Sequence, residues 1–331
     1  MLYVGVVVAG VAWFVIHYGP TAGILAGAVG GLVGLLGLPA ALRGALRLGG
    51  KPPESVPLDK VADGLALGVR RQWEAEVQVR RVNDPSPLPV AWTAADADLV
   101  ESWSGLRELA ENWPGGPPGD PAGWATGAWG LAGKGGEIDK VFSERVPTRR
   151  LVVLGEPGSG KTMLLIRLLL ALLARRPEGG PVPVLFSLAS WDPTRQDLDT
   201  WMAGQLTRDH PALRAPAPAE LEQSSPGTRA HALLEQRLIT PILDGLDELP
   251  PGLQVLALDA LNGSLPARQP LVLSSRTTDY RNATATVRLH GAAGIRLLPL
   301  DSTSATVYLQ RDADGPGAEA ATRWSGIAAS L

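Results

Sequence analysis

The sequence predicts an α/β fold, with a mainly parallel sheet flanked by helices, preceded by a helical hairpin of membrane-spanning character. Three observations carry this. Short apolar runs at 149–154, 238–243 and 271–275 read as buried strands. A glycine-rich loop joins the first run to a strong helix former, Met163 to Arg176. From Met1 to Leu42 there is no Asp, Glu, Lys or Arg.

Length and composition set the frame. A chain of 331 residues accommodates two or three units, at about 150 residues each. A net charge of −3 leaves no electrostatic footprint for nucleic acid as the main partner. Cysteine is absent, which excludes disulfides, thiolate metal sites and cysteine catalysis. The four histidines, His17, His210, His231 and His290, show no ligand spacing.

In chain order, the charge-free segment comes first. Leu2 to Ile16 is one apolar run and Thr21 to Leu42 a second, separated by His17, Tyr18, Gly19 and Pro20. A bilayer core takes about 20 apolar residues per helix, with a lower limit near 17. The second run meets that length, and the shorter first run has Tyr3 and Tyr18 as interfacial anchors. Gly23, Gly27 and Gly31 fall four apart, a spacing that allows close helix packing in lipid. Arg43, Arg47 and Lys51 follow, and the positive-inside rule keeps that end in the cytoplasm. The expectation is a multi-pass protein of the cell membrane, in contact with lipid, with both flanks cytoplasmic. A cleaved signal peptide competes poorly, because its basic n-region is missing; a buried soluble hairpin is the other alternative.

Pro52 to Lys60 reads as a linker, and Val61 to Val82 as a helix with Leu65, Val69, Trp73 and Val77 at helical spacing. Asn83 to Pro87 ends it, and Pro89 to Thr93 is a short extended piece. Asn112 to Gly136, rich in Gly and Pro, reads as a connector whose Trp113, Trp124 and Trp129 cover the next domain. The expected domains are therefore a hairpin with its basic flank at 1–50, a juxtamembrane helix and linker region at 51–145, and the α/β core at 146–331.

Gly155, Glu156, Pro157, Gly158, Ser159, Gly160, Lys161 and Thr162 match G-x-x-x-x-G-K-[ST] at every position, between a strand and a helix as that motif requires. Glycines let backbone N–H groups turn inward around phosphate oxygens, and the helix N-terminus adds its positive end. Lys161 supplies a mobile charge to the outer phosphates, and Thr162 a hydroxyl to Mg²⁺. These are the marks of a P-loop NTPase core that takes ATP or GTP.

The second apolar run leads into Asp244, at a strand's carboxyl end, where Mg²⁺ is held in such folds. Asp247 and Glu248 follow one turn later. Glu248 is assigned to polarise the attacking water, with Asp247 as the alternative. An acidic first helical turn is the plainer explanation of these carboxylates, and the upstream loop outweighs it. The third run ends at Arg276, which faces the same crevice and can sense a γ-phosphate.

Together GEPGSGKT at 155–162, LITPILDGLDELP at 238–250 and LVLSSRTTDY at 271–280 resemble the NACHT family of STAND-type NTPases. Gly245, Asp247 and Glu248 sit where the family places a small residue and then two acidic ones. PVPVLFSLASWDP at 181–193 is similar to the strand and turn after the first helix in bacterial members, and 297–310 resembles the start of the helical region beyond the core. Residues 65–92 are similar to the lead-in of membrane-tethered bacterial forms. The resemblance implies an ATP-preferring switch that rests with ADP, exchanges nucleotide on a trigger, forms homo-oligomers, and serves signalling or defence. It also implies a winged-helix region and a sensing array beyond the core. The chain ends at Leu331 without them, so a truncated product is expected. The alternative function is a nucleotide-binding interaction module with little or no hydrolysis.

Overall fold

The computed structural model describes residues 56–79, 90–218 and 227–300. The chain divides into two units, Met1–Ser55 and Val56–Leu331, and only the second is described. The spans expected within 1–42, like the region expected to be helical beyond Leu300, lie outside the described residues. Among the described residues no helix is long and apolar enough to cross a membrane.

The unit is organised by one seven-stranded sheet in the order β2-β1-β7-β3-β6-β5-β4. Its strands are β1 (Ala91–Ala94), β2 (Gly133–Lys134), β3 (Arg150–Leu154), β4 (Val182–Ser187), β5 (Ile239–Asp244), β6 (Leu271–Ser275) and β7 (Ala293–Leu297). The block β7-β3-β6-β5-β4 is wholly parallel. β1 adds antiparallel to β7, and β2 antiparallel to β1. Leu151, Val152, Val153 and Leu154 are completely buried, as are Leu271, Val272 and Leu273. A parallel strand covered on both faces reads as a continuous apolar run, which is why these strands were visible without alternation.

The helices are α1 (Leu58–Val79), α2 (Trp103–Glu111), α3 (Lys161–Arg175), α4 (Leu198–Asp209), α5 (Arg229–Glu235), α6 (Pro251–Ser264) and α7 (Thr277–Thr284). In α3, Leu164, Leu165, Leu168 and Leu169 are buried, so two adjacent rows of the helix enter the core. Asp197 caps α4 by accepting from the Thr200 N–H at 2.8 Å.

Residues 56–145 differ from a mere lead-in. α1 buries Val61, Ala62, Leu65, Ala66 and Val69, and Arg70 donates to the Leu173 carbonyl at 2.6 Å near the end of α3. Asp63 pairs with Arg176 at 2.7 Å and accepts from the Gly179 N–H at 2.8 Å. The stretch 112–136 contains short 3₁₀ turns and supplies the whole of β2. Its backbone is held by side chains from neighbouring segments: Trp92 Nε1 donates to the Leu131 carbonyl at 2.8 Å, and Trp103 Nε1 to that of Ala125 at 3.2 Å. Trp124 is buried as expected of a covering residue, but Trp129 is 75% exposed.

The parallel register aligns the strand ends. Leu154 pairs with Ser275, and Ser187 with Asp244, so these residues share one carboxyl edge. In open α/β sheets the ligand crevice lies outside this edge.

Candidate nucleotide-binding site

The loop after β3 turns through Gly158 at φ +75° and Gly160 at φ +91°, backbone that residues with a Cβ rarely adopt. The Gly155 N–H donates to the Ser275 carbonyl at 3.2 Å, which anchors the loop's start to β6. The Leu164 N–H donates to the Gly160 carbonyl at 2.9 Å, so α3 begins directly from the loop. Glu156, Pro157 and Gly158 are exposed at its tip. Lys161 Nζ lies across the loop and donates to the carbonyls of Gly155 at 2.8 Å and Glu156 at 3.1 Å. Burial draws the Lys161 pKa down, while the Asp247 and Asp244 charges raise it.

Asp244, at the end of β5, meets two hydroxyls. Thr162 Oγ1 donates to its Oδ2 at 2.8 Å, and Ser274 Oγ donates to its Oδ1. Gly245 follows at φ +83°, and a Cβ there would lie 2.6 Å from Glu248 Cδ. Glycine at this position therefore allows the Glu248 side chain to fold back beside Asp244. Partial burial, then the Asp244 and Asp247 charges, push the Glu248 pKa above the ordinary value.

Asp247 is committed elsewhere. Its Oδ1 accepts the Arg276 N–H at 3.1 Å and its Oδ2 faces Arg276 Nε at 2.8 Å. Its side chain is 7% exposed, against 49% for Arg276. The structure thus brings all twelve expected positions, Gly155 through Thr162 with Asp244, Asp247, Glu248 and Arg276, to one edge, and it separates the two acidic neighbours by what they touch. Sequence reasoning missed Ser274. The signal was a pair of serines ending an apolar strand, of which Ser274 lies two residues before Arg276.

The donor set fits a magnesium nucleotide. The Ser159 hydroxyl is buried in the loop without a partner, a place for a group that brings acceptor oxygens. Among the described residues no group of three or more His, Cys, Asp or Glu side chains could hold a metal. Mg²⁺ commonly takes only one or two protein ligands and completes its shell with phosphate oxygens and water, which suits Thr162 and Asp244.

A parallel sheet with a glycine-rich phosphate loop at its carboxyl edge defines a P-loop nucleotide-binding core. More narrowly, residues 149–313 match the NACHT domain family, which supports a NACHT NTPase, a nucleotide-binding class in which Mg²⁺ is typical. None of the curated proteins compared with the chain matches it.

Proposed function

We propose that the chain is a Mg²⁺-dependent NTPase of the NACHT type, preferring ATP over GTP and acting as a membrane-anchored switch that oligomerises for signalling or defence. The observation that carries the catalytic reading is the commitment of the acidic pair. With Asp247 paired to Arg276, Glu248 is the carboxylate left to take a proton at the rim of the loop. The backbone N–H groups of 158–162 and the Lys161 ammonium bind the phosphates. Bound Mg²⁺ would offset phosphate charge, held by Thr162 and Asp244. Water attacks the γ-phosphorus in line, the bond from that phosphorus to the bridging oxygen breaks, and Glu248 accepts the water's proton. Arg276 answers γ-phosphate by exchanging its carboxylate partner, a role supported by its half-exposed position beside Asp247.

The test is calorimetric binding and phosphate release with Mg-ATP and Mg-GTP, on the full chain and on Lys161→Ala. Loss of the ammonium is expected to weaken binding at least about tenfold, since a charge-assisted contact contributes roughly 1.5–3 kcal/mol. Equal affinity in both proteins would sink the phosphate-loop reading. Binding without turnover would favour the nucleotide-binding module.

Membrane anchoring rests on the charge-free segment 1–42 and its basic flank. A cysteine at Gly19 is expected to react with an impermeant reagent from outside, and one at Ser55 is not. Recovery of the full chain in the soluble fraction without detergent would refute it.

A further inference from the structure

We propose that Ser274 is a positioning residue that presets Asp244 for Mg²⁺. The inference rests on the nucleotide-site reading above and adds a residue to it. Ser274 is completely buried in β6, beside β5. Most hydroxyls removed from water are paired, and this one is paired in a directed way. Its oxygen accepts the Gly245 N–H at 2.9 Å, and its single proton goes to Asp244 Oδ1.

Both contacts act on the same turn. The first fixes the peptide immediately after Asp244, at the left-handed Gly245 that lets Glu248 fold back. The second occupies one carboxylate oxygen of Asp244, so that the other, Oδ2, faces Thr162. The carboxylate is therefore held in one rotamer before any cation arrives. Without the hydroxyl, Oδ1 loses its donor and the side chain is free to turn about its χ angles. A metal ligand that must be ordered at the moment of binding costs affinity that a preset ligand does not.

The neighbouring position is an internal contrast. The Ser275 hydroxyl is also buried, and it has no hydrogen-bond partner. Two adjacent serines in one strand point to opposite sides of the sheet. Only the one bonded to Asp244 is assigned this role.

The experiment is a titration of Mg²⁺ against ATP binding by calorimetry, using the full chain, Ser274→Ala and Ser275→Ala, with binding also measured in chelator. Ser274→Ala is expected to raise the Mg²⁺ concentration for half-maximal binding about tenfold, the scale of one hydrogen bond to a charged group. Affinity in chelator should be unchanged, and Ser275→Ala should behave as the parent. Ser274→Cys, close in shape with a weak donor, should fall between parent and alanine variant, and it keeps the test open if the alanine variant does not fold. If the parent binds ATP with a clear Mg²⁺ requirement and the Ser274 variants share it, the positioning role is overturned. If the parent shows no Mg²⁺ requirement, the nucleotide-site reading itself fails.

Discussion

Arg276 and Arg150 lie at opposite edges of the same sheet, and the protein treats them in opposite ways. Arg276, just past the carboxyl end of β6, is half-exposed and bound to the Asp247 carboxylate. Arg150, at the start of the adjacent β3, is completely buried. It donates to the carbonyls of Pro266 and Gln269, each at 3.1 Å, and of Leu265 at 3.5 Å. Burial lowers its pKa to about 10. This cation is tied through one nitrogen, Nη1, to carbonyls of the loop between α6 and β6, and its Nε and Nη2 are buried without a partner. A cation shared between a carboxylate and solvent can exchange that partner for a phosphate. Two arginines at strand ends can thus be neutralised in opposite ways, and under the proposed function only the half-exposed one is open to a ligand.

The largest effect expected from testing this contrast is at the carboxyl edge. Glu248→Gln should lower turnover by about 10²–10⁴ while nucleotide binding persists, because amide replaces the group that takes the proton. The parent rate should also fall as pH drops through the raised Glu248 pKa, since the protonated form cannot act as base. Asp247→Asn should leave Glu248 chemistry in place and loosen Arg276. If single-turnover rates show that Asp247→Asn stops hydrolysis and Glu248→Gln does not, the roles within the acidic pair are reversed.

At the other edge, Arg150→Met keeps a long apolar stem and removes the donors. It should destabilise the fold by about 1 kcal/mol, because the Leu265 and Gln269 carbonyls lose a donor while that of Pro266 keeps the Gln269 N–H, with Mg-ATP affinity unchanged in the folded fraction. Denaturant unfolding is the measurement. An unchanged midpoint would mean that the cost of burying the charge cancels what the carbonyls gain, and that the contrast between the edges is weaker than drawn.

The smallest effect is expected where α1 is tied to the turn after α3. The Gly179 N–H, then Arg176, hold the Asp63 carboxyl below its ordinary pKa. The stability this adds is present above the unfolded-state value, about 3.9, and is lost as pH falls through the lower folded-state value. Asp63→Asn should therefore flatten the acid limb of a melting-temperature profile below about pH 4, with little change in nucleotide binding. A parent profile identical to that of the variant would remove the ion pair from the account.

Much of the site was legible because its chemistry is local in sequence. Gly155 to Thr162 form one continuous loop, and Asp244 with Glu248 lie within one turn of each other. β7 was not legible, because the run 293–297 includes Gly294 and Arg296 and is completed as a strand only by pairing with β3 and β1. β2 was hidden for a similar reason: a two-residue strand has no periodicity to read, and it exists because β1 offers an open edge.

By itself the sequence determined the phosphate loop, the buried strands that lead to it and the identity of each charged group at the edge. These follow from backbone freedom, apolar runs and residue type, which need no distant partner. The tertiary structure decided which carboxylate is committed. Asp247 and Glu248 are adjacent acids of similar chemistry, and only the approach of β6 gives Asp247 both the Arg276 N–H and its guanidinium. The same approach places Ser274 on Asp244. Contacts between segments some thirty residues apart depend on strand register, and register is set by the packing of the whole sheet.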